Sequence, residues 1–353
     1  MEVTFYGHIT IDEIDGETMI GGPPNYGGVV IADYFGIRPL VITSCAATDV
    51  TRFVKETKDK LQYIVELSKE TTVFRFPKLG HENKMELLSK ASNLRVIIPT
   101  DLAILNPVCR EVSNNFINEV RSISKYLAID IQGLVRTGEL GEIKRTNFLK
   151  EYHYIKSANL IKVSNYELPF LIEGENLEEL QKMLSSMEVL VSKGHEGAVL
   201  IYNETKYEVS SPSVTLVNST GAGDVLISMY AYLRAKNESI ETSLAYAVAA
   251  ASSSISHDGV PHSMPKDQID NIAHNLLSRI NKSTIRNIIE DLKNYYPKNW
   301  ETFFEQKNSD VNQKTMSTNN EKTNEQTQTT QDISNELNDL DPSNKEKEGI
   351  SPD

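Results

Sequence analysis

The sequence has 353 residues, of which 39% are hydrophobic, and a formal net charge of −13. A chain of this size and apolar content can bury a substantial core, and its negative charge argues against nonspecific binding to nucleic acid. No stretch approaches the roughly eighteen apolar residues of a membrane span, and the amino terminus lacks the features of a signal peptide, so we expect a cytoplasmic protein. The two cysteines, Cys45 and Cys109, are far apart and predict neither a disulfide framework nor a zinc site.

The first segment, residues 1–11, begins with alternating apolar and polar residues and is rich in β-branched residues, which predicts a strand. Asp12 follows it, and ligands of open α/β sheets gather at the carboxyl ends of strands. Asp12 is therefore a candidate substrate ligand, with a solvent-exposed turn residue as the alternative. A glycine-rich cluster at 21–28 then precedes a predicted helix that ends at Gly36. Its glycine spacing is not that of a dinucleotide-binding fingerprint, and a Walker loop is absent from the chain.

The middle of the chain alternates predicted strands and helices. Residues 71–76 and 85–89 are typical of two short strands joined by a polar turn at 80–83. Further strands are predicted over 40–44, 95–98, 102–105, 126–130, 160–163 and within 189–202, and helices over 49–69, 111–125, 245–255 and within 268–296. This alternation predicts an α/β domain with a mainly parallel sheet.

The most informative stretch is residues 213–224. Its β-branched start predicts an extended segment, and the apolar residues after Asp224 predict a buried helix. Gly221 and Gly223 therefore lie where a helix begins, and the unpaired amides and positive dipole end of that turn attract an anion such as phosphate. A carboxylate at Asp224 repels phosphate, so it needs a compensating role, which is to accept the proton of an attacking hydroxyl. The combination predicts a kinase, and ordinary helix capping is the alternative.

Residues 218–224, Asn-Ser-Thr-Gly-Ala-Gly-Asp, resemble the Asp-Thr-x-Gly-Ala-Gly-Asp signature of the ribokinase-like, or phosphofructokinase-B, family of carbohydrate kinases. Asn218 replaces the first Asp of the signature, and Ser219 replaces its Thr. The resemblance covers roughly residues 1–280. It implies a ribokinase-like three-layer sandwich, in which helices flank a mainly parallel central sheet. A small β lid, formed by about residues 13–20 and 70–90, covers the substrate and often makes a homodimer contact.

The resemblance also implies a reaction. The γ-phosphoryl group of ATP, bound with Mg²⁺, passes to a hydroxyl of a sugar, polyol or nucleoside. Asp224 is expected to be the general base, and the amides of Gly221, Ala222 and Gly223 are expected to form the anion hole for the transferring group.

Other positions match the family's substrate ligands. Asp12, Gly22 and Asn25 correspond approximately to an early acid and a Gly-Gly-x-x-x-Asn-like element that bind substrate hydroxyls. Residues 130–136, Asp-Ile-Gln-Gly-Leu-Val-Arg, are similar to a string in the inositol-kinase-like branch. This similarity adds Gln132 and Arg136 to the candidates, with an ordinary surface arginine as the alternative for Arg136.

A second set of positions matches the family's nucleotide and cation sites. Ser164 and Glu167 match its Asn-x-x-Glu element, whose acid orders Mg²⁺ through water, and capping of the following helix is the alternative. The remaining nucleotide candidates are Ser192, Gly194, Gly197, Thr220, Ala247 and Ala251. The two alanines lie on one helix face, where tight packing is the alternative. In potassium-activated relatives a monovalent cation is held at positions that correspond to Asn218, Gly259 and Ser263.

We therefore predict a kinase domain at 1–280, a helical extension at 281–300 and a disordered acidic tail at 301–353. The tail contains twelve acidic and five basic residues in a polar, low-complexity sequence. The predicted function is an ATP-dependent kinase of a sugar or an inositol-like polyol. The alternatives are a nucleoside kinase of the same family and a noncatalytic sugar-binding regulatory protein.

Overall fold

The computed structural model of the protein describes residues 1–76, 85–146, 155–173, 177–256, 265–298 and 300. The chain divides into one compact unit over Met1–Tyr296 and another over Pro297–Asp353. The predicted tail at 301–353, the turn at 80–83, Gly259 and Ser263 lie outside the described residues. The predicted division into domain, extension and tail therefore stays a prediction.

The first unit contains two sheets. Its strands are, in chain order, β1 (Val3–Tyr6), β2 (Thr10–Ile14), β3 (Glu17–Gly21), β4 (Leu40–Ala46), β5 (Gln62–Ser68), β6 (Thr72–Phe76), β7 (Glu86–Ser89), β8 (Thr100–Leu105), β9 (Ser124–Asp130), β10 (Gly141–Glu142), β11 (Leu160–Ser164), β12 (Glu188–Ser192), β13 (Ala198–Tyr202), β14 (Thr205–Val209) and β15 (Asn281–Thr284).

The main sheet has 10 strands in the order β15-β14-β13-β12-β11-β9-β8-β1-β4-β5. The strands from β12 to β5 in this order are parallel, and β13, β14 and β15 continue the sheet in antiparallel pairing. Apart from the partly exposed edge strand β5, the parallel strands have cores of apolar residues buried on both faces, as parallel sheets require. Strand order reverses between β1 and β8, which is the place where open α/β sheets bind ligands at their carboxyl edge.

The second sheet has five strands in the order β10-β7-β6-β2-β3 and corresponds to the expected lid. β6 and β7 pair antiparallel, so the two predicted strands and their pairing are confirmed. The role of this sheet as a lid and as a homodimer contact stays a prediction.

Buried polar contacts attach the second sheet to the main sheet at the end of β1. His8 Nε2 donates to the Ser92 carbonyl (2.9 Å), and His8 Nδ1 accepts from the Thr72 hydroxyl (2.8 Å). The Glu111 carboxylate accepts the amide protons of His8 and Cys109 at 3.1 and 2.8 Å. Burial lowers the pKa of His8, so the ring is neutral and both of its nitrogens serve to hold the two sheets together.

The helices are α1 (Val29–Phe35), α2 (Val50–Glu56), α3 (Asn114–Ile123), α4 (Gln132–Val135), α5 (Leu168–Ile172), α6 (Leu177–Leu184), α7 (Ala222–Ala235), α8 (Ile240–Ser254), α9 (Lys266–Leu277) and α10 (Ile288–Lys293), with one turn of π-helix at Pro24–Gly28. Helices α7, α8 and α9 pack in succession and share the main apolar core with the sheet. Gly36 ends α1 in a left-handed conformation, as predicted. Within the described ranges, no helix combines the length and apolar content needed to cross a bilayer.

Several secondary-structure predictions are wrong. In two of them, the backbone amides of a predicted strand donate hydrogen bonds to groups that do not belong to a neighbouring strand. The predicted strand at 95–98 is irregular, because the Glu66 carboxylate accepts the amide protons of Arg95 and Val96. The β-branched run at 214–217, predicted as a strand before the glycine turn, does not join a sheet. At its end the amides of Val217 and Asn218 donate to the Ile255 carbonyl instead of to a sheet.

Other errors concern boundaries. The predicted helix over 49–69 ends at Glu56, and its second half is β5, which pairs in parallel with β4. The two helices predicted within 268–296 form as α9 and α10, but the segment between them is β15, a strand that was not predicted and that extends the main sheet. The predicted strand over 1–11 breaks after Tyr6, so Asp12 lies inside β2 of the second sheet and not at the end of a main-sheet strand.

Candidate active site

The glycine turn predicted from the sequence begins α7 as expected. Gly221 has a φ of +79°, a left-handed conformation that glycine adopts without strain, and its carbonyl accepts the first helical bond from Val225. The amide of Thr220 donates to Asn218 Oδ1 (2.9 Å), and that of Ala222 donates to the Ser219 carbonyl (3.3 Å). Within the described part of the chain, the amides of Gly221 and Gly223 have no hydrogen-bond acceptor. This turn therefore offers two open donors to an anion.

A buried lysine lies against the same turn. A Cβ atom placed on Gly223 would lie 3.0 Å from Lys162 Nζ, so only a glycine leaves the ammonium this close to the helix start. Lys162 Nζ also pairs with Asp130 Oδ2 at 3.0 Å. Burial by itself lowers the pKa of Lys162, but the carboxylates of Asp130, Glu167 and Asp224 raise it above its ordinary value. The side chain is therefore a permanent cation beside the open amides.

Glu167 belongs to the same charge cluster. It precedes α5, is buried, and its Oε2 accepts the amide proton of Ser164 (2.7 Å). Burial alone raises the pKa of Glu167, but Lys162 and the Ser164 amide together hold it below its ordinary value. Because α5 begins at Leu168 without a side-chain cap, the capping alternative is not supported, and the contact between Glu167 and Ser164 instead closes the turn that precedes the helix.

The two candidate nucleotide turns lie side by side at the carboxyl edge of the sheet. Ser164 and Ser192 are partners in the parallel register of β11 and β12, and the Asn165 amide donates to the Ser192 carbonyl (3.0 Å). A Cβ atom on Gly197 would lie 2.1 Å from the Val209 carbonyl oxygen, so this glycine permits close packing of the turn on the end of β14.

The remaining nucleotide and cation candidates differ in accessibility. Ala247 has no exposed surface, so tight packing accounts for it, whereas Ala251 and Thr220 are half-buried. Asn218 is buried and holds the Thr220 amide. Gly259 and Ser263 fall in a range that the structure does not describe.

Asp12 and Arg136, two of the predicted substrate ligands, lie close enough for the charge of Arg136 to act on the Asp12 carboxyl. Asp12 Oδ1 accepts from the Thr10 hydroxyl (2.8 Å), and the carboxylate lies directly against Gly21. Burial raises the pKa of Asp12 to about 7, opposed by the Thr10 hydrogen bond and the charge of Arg136. Arg136 is 5% exposed, so the surface-arginine alternative is wrong; it donates to the Val108 carbonyl (3.1 Å).

Gln132 is linked to the lysine through Asp130. It begins α4, and its amide donates to Asp130 Oδ1 (3.0 Å), while Asp130 Oδ2 pairs with Lys162. The similarity of residues 130–136 to the inositol-kinase-like string therefore falls on residues that lie beside the charge cluster.

Asn25 is the candidate whose surroundings differ most from expectation. Its side chain has no exposed surface, donates to the Gly21 carbonyl (2.6 Å) and accepts from the Tyr63 hydroxyl (3.1 Å). Gly22, with a φ of +92°, packs against the His8 carbonyl. The residue of this cluster that meets the glycine turn is Tyr26, whose ring lies against Gly221.

Three residues near the glycine turn were missed by sequence reasoning: Lys162, Asp130 and Tyr26. A signal existed for Lys162, because a charged residue interrupts the otherwise apolar strand β11. Asp130 is the last residue of a buried strand. Its pairing with the buried Lys162 is visible only in the fold, because the two residues are distant in sequence. Nothing in the sequence distinguishes Tyr26 from an ordinary core tyrosine.

Comparison with known proteins identifies a family to which the sequence is similar. Residues 45–267 match the model of the pfkB family carbohydrate kinases. A ribokinase from Lactococcus lactis subsp. lactis (strain IL1403) is 31% identical over 112 residues, which is 32% of this chain and 37% of the ribokinase. The alignment thus spans well under half of that relative.

Solved structures agree on the fold. A pyrophosphate-dependent kinase of the ribokinase family, complexed with a pyrophosphate analog and myo-inositol, superposes with a TM-score of 0.64 at 24% identity, covering 76% of this chain and 99% of the other. A ribokinase from Thermotoga maritima gives a TM-score of 0.57 at 14% identity, and the superposition covers 78% of this chain and 100% of the ribokinase. Aminoimidazole riboside kinase from Salmonella enterica gives a TM-score of 0.58 at 19% identity, and the superposition covers 77% of this chain and 100% of that kinase.

The predicted ribokinase-like α/β fold is confirmed by these superpositions. Because the family model matches well over half of the chain, including the glycine turn, the family assignment rests on more than the seven-residue signature. The chain belongs to the pfkB family of carbohydrate kinases.

Proposed function

We propose that this protein transfers a phosphoryl group from ATP to a hydroxyl of a sugar or cyclic polyol. The observation that carries the proposal is the composition of the first turn of α7. Asp224, the open amides of Gly221 and Gly223, and the Lys162 ammonium lie together there. A lone capping acid needs neither the open amides nor the buried cation.

The reaction follows from these groups. The Asp224 carboxylate accepts the proton of the acceptor hydroxyl while the acceptor oxygen forms a bond to the γ-phosphorus, and the bond to the bridging oxygen of ADP breaks. The Gly221 and Gly223 amides and Lys162 stabilise negative charge on the transferring group. One well-aimed donor of this kind contributes about 3 kcal/mol of transition-state stabilisation in other enzymes.

The charge cluster fits a divalent cation held through water. Mg²⁺ prefers oxygen ligands and keeps several of its waters, and Glu167 offers a carboxylate whose lowered pKa keeps it ionised. Lys162 lies beside Glu167 and disfavours direct binding of a second cation there, which agrees with an indirect role for Glu167. When bound with ATP, Mg²⁺ neutralises charge on the phosphates.

The acceptor is assigned to the side of Asp12 and Arg136. A carboxylate with one oxygen held by Thr10 leaves its other oxygen for a hydroxyl, and a short acid on a rigid strand suits a vicinal diol. An inositol-like acceptor is favoured because residues 130–136 are similar to the inositol-kinase-like string and because a myo-inositol complex is among the similar structures. A nucleoside acceptor is the alternative, since aminoimidazole riboside kinase shares the fold.

Pyrophosphate is a second candidate donor. The Lys162 ammonium gives the phosphate side a fixed positive charge that binds a short polyphosphate without help from a base or ribose. A pyrophosphate-dependent kinase of the ribokinase family is among the similar structures. This second donor changes the leaving group but leaves the roles of Asp224 and the glycine turn unchanged.

A matrix of donors and acceptors tests the proposal. Purified protein with Mg²⁺ is incubated with ATP or pyrophosphate and with myo-inositol, hexoses, ribose or nucleosides, and the phosphorylated product is identified by mass spectrometry. We expect product with a sugar or cyclic polyol. Product with nucleosides alone would support the alternative acceptor, whereas tight sugar binding without transfer from any donor would indicate a noncatalytic regulatory protein.

A further inference from the structure

The π-helical turn at Pro24–Gly28, which we call the π turn, connects the two halves of the proposed site. Its first residues follow Gly21, whose Cα lies against the Asp12 carboxylate. Its last residues pack on the start of α7: a Cβ atom placed on Gly27 would lie 2.6 Å from the Asp224 carbonyl oxygen. Five consecutive buried residues thus link the acceptor side to the residue assigned as base.

A second close contact in this connection is between Tyr26 and Gly221. A Cβ atom on Gly221 would lie 2.1 Å from Tyr26 Cδ1 and 2.2 Å from Tyr26 Cγ, so the tyrosine ring occupies the space that any other side chain at position 221 would need. Tyr26 is 8% exposed, whereas residues 221–224 are half-buried. The ring therefore covers one face of the glycine turn and shields it from solvent.

The π turn is held rigidly enough for this contact to have a fixed position. The fully buried Asn25 side chain binds the Gly21 carbonyl and the Tyr63 hydroxyl, and so anchors the turn to β3 and β5. On the other side, Gly27 lies against Ser228 of α7, and the Ser228 hydroxyl donates to the Asp224 carbonyl (2.6 Å). Tyr26 stands between these two anchors, so its ring has little freedom to leave Gly221.

We propose that Tyr26 is a positioning residue that holds the Gly221 turn in its left-handed conformation and keeps water away from Asp224, while Asn25 serves as the anchor of the π turn. The proposal rests on the proposed function. Without the ring, the amides of Gly221 and Gly223 lose their fixed direction, and water reaches the base. Water then competes as acceptor: its oxygen bonds to the γ-phosphorus, the bond to the bridging oxygen of ADP breaks, and its proton passes to Asp224.

The test compares Tyr26→Phe, which keeps the ring, with Tyr26→Leu, which removes it. Tyr232→Leu is the matched control, because Tyr232 is another buried tyrosine, 5% exposed, that stacks on Phe35 and does not touch the glycine turn. For each protein we would measure transfer from ATP to the acceptor identified in the screen, ATP hydrolysis without acceptor, and hydrogen exchange of the amides at 221–224.

If the ring positions the glycine turn, Tyr26→Phe should transfer phosphoryl groups like the wild type. The kcat of Tyr26→Leu for transfer should fall about a hundredfold, a loss typical of enzymes in which a reacting group is misplaced. In Tyr26→Leu, hydrolysis should rise relative to transfer, and exchange at 221–224 should become faster. Tyr232→Leu should change neither the ratio of hydrolysis to transfer nor the rate of hydrogen exchange at the amides of 221–224.

An unchanged ratio of transfer to hydrolysis in Tyr26→Leu, with unchanged exchange at 221–224, would overturn the inference while leaving the proposed function intact. A wild-type protein that transfers no phosphoryl group would overturn the proposed function, and amide exchange in the same three variants would still decide whether Tyr26 orders the glycine turn. Should Tyr26→Leu fail to fold, Tyr26→Met, whose flexible side chain adapts to irregular space without a ring, is measured in its place.

Discussion

Lys162 and Asp130 form a 3.0 Å ion pair between side chains that are only 5% and 1% exposed, and the same lysine lies beside Gly223 at the start of α7. Burying two charges costs more than their mutual attraction returns unless further contacts compensate. Here Gln132 and the nearby carboxylates of Glu167 and Asp224 supply those contacts. These contacts account for a stable buried pair, and the position of Lys162 beside Gly223 also fits the proposed role of a fixed cation toward phosphate.

The first prediction separates these two roles of Lys162. Lys162→Met leaves Asp130 buried without its partner and should reduce the free energy of unfolding by about 3–5 kcal/mol. The double variant Lys162→Met with Asp130→Asn removes both charges and should recover most of that stability, as measured by urea denaturation. Phosphoryl transfer should stay low in both, because the cation is missing in both. Recovery of kcat together with stability in the double variant would show that Lys162 is only structural.

The second prediction concerns pH and Asp12. The folded carboxyl has a pKa of about 7 against an ordinary value of 3.8, so its contribution to stability is full at low pH and is lost as the pH rises through 7. The ionised carboxylate accepts a hydrogen bond from a substrate hydroxyl more strongly than the protonated carboxyl does. The KM for the acceptor should therefore fall as the pH rises from 6 to 8.

The control for this pH effect is Asp12→Asn, which cannot ionise. It should have a high acceptor KM that does not change over the same range, and it should be more stable than the wild type at pH 8 in thermal denaturation. A wild-type acceptor KM that is flat between pH 6 and 8 would remove Asp12 from the acceptor site.

The third prediction concerns monovalent cations. Asn218 is neutral where potassium-activated relatives carry an acid, and its Oδ1 already accepts the Thr220 amide proton. A neutral amide attracts a cation less strongly than a carboxylate does. We expect less than about twofold stimulation of kcat by potassium over a choline background, with Asn218→Asp increasing it. Strong activation of the wild-type protein would contradict this expectation.

The fourth prediction concerns the carboxyl-terminal sequence. Residues 306–353 are polar and acidic and contain too few core-forming side chains to offset the entropy of ordering them. A protein that ends at residue 305 should keep the melting temperature and kcat of the full chain. Loss of solubility or turnover after this deletion would show that the segment contributes to the folded protein.

The sequence predicted the fold where local signals and burial agree. The apolar runs of β9, β11 and β12 and the glycine turn before α7 all formed as expected. Prediction failed where a side chain from elsewhere in the fold satisfied the backbone, as Glu66 does for Arg95 and Val96. Such partners are distant in sequence, so no local pattern reveals them.

The candidate site shows the same limit. Asp224 and its glycines follow from the chemistry of a helix start, and no tertiary information is needed to find them. The choice between Asn25 and Tyr26 depends on which side chain faces α7, and the structure directs Asn25 to Gly21 and Tyr63 while Tyr26 meets Gly221. Residue type favoured Asn25, because an amide is the more obvious ligand for a hydroxyl.

The measurement that bears most directly on the account is the kcat of Asp224→Asn on the acceptor identified in the screen. Asparagine keeps the shape of the side chain and reduces the repulsion of phosphate, but it cannot accept a proton at neutral pH. Donor binding should survive, and kcat should fall about a hundred- to ten-thousandfold with little change in KM. If Asp224 only caps α7, the substitution should cost at most about 1 kcal/mol of stability and leave turnover near the wild-type value. A folded Asp224→Asn protein with normal kcat would contradict the assignment of Asp224 as the base.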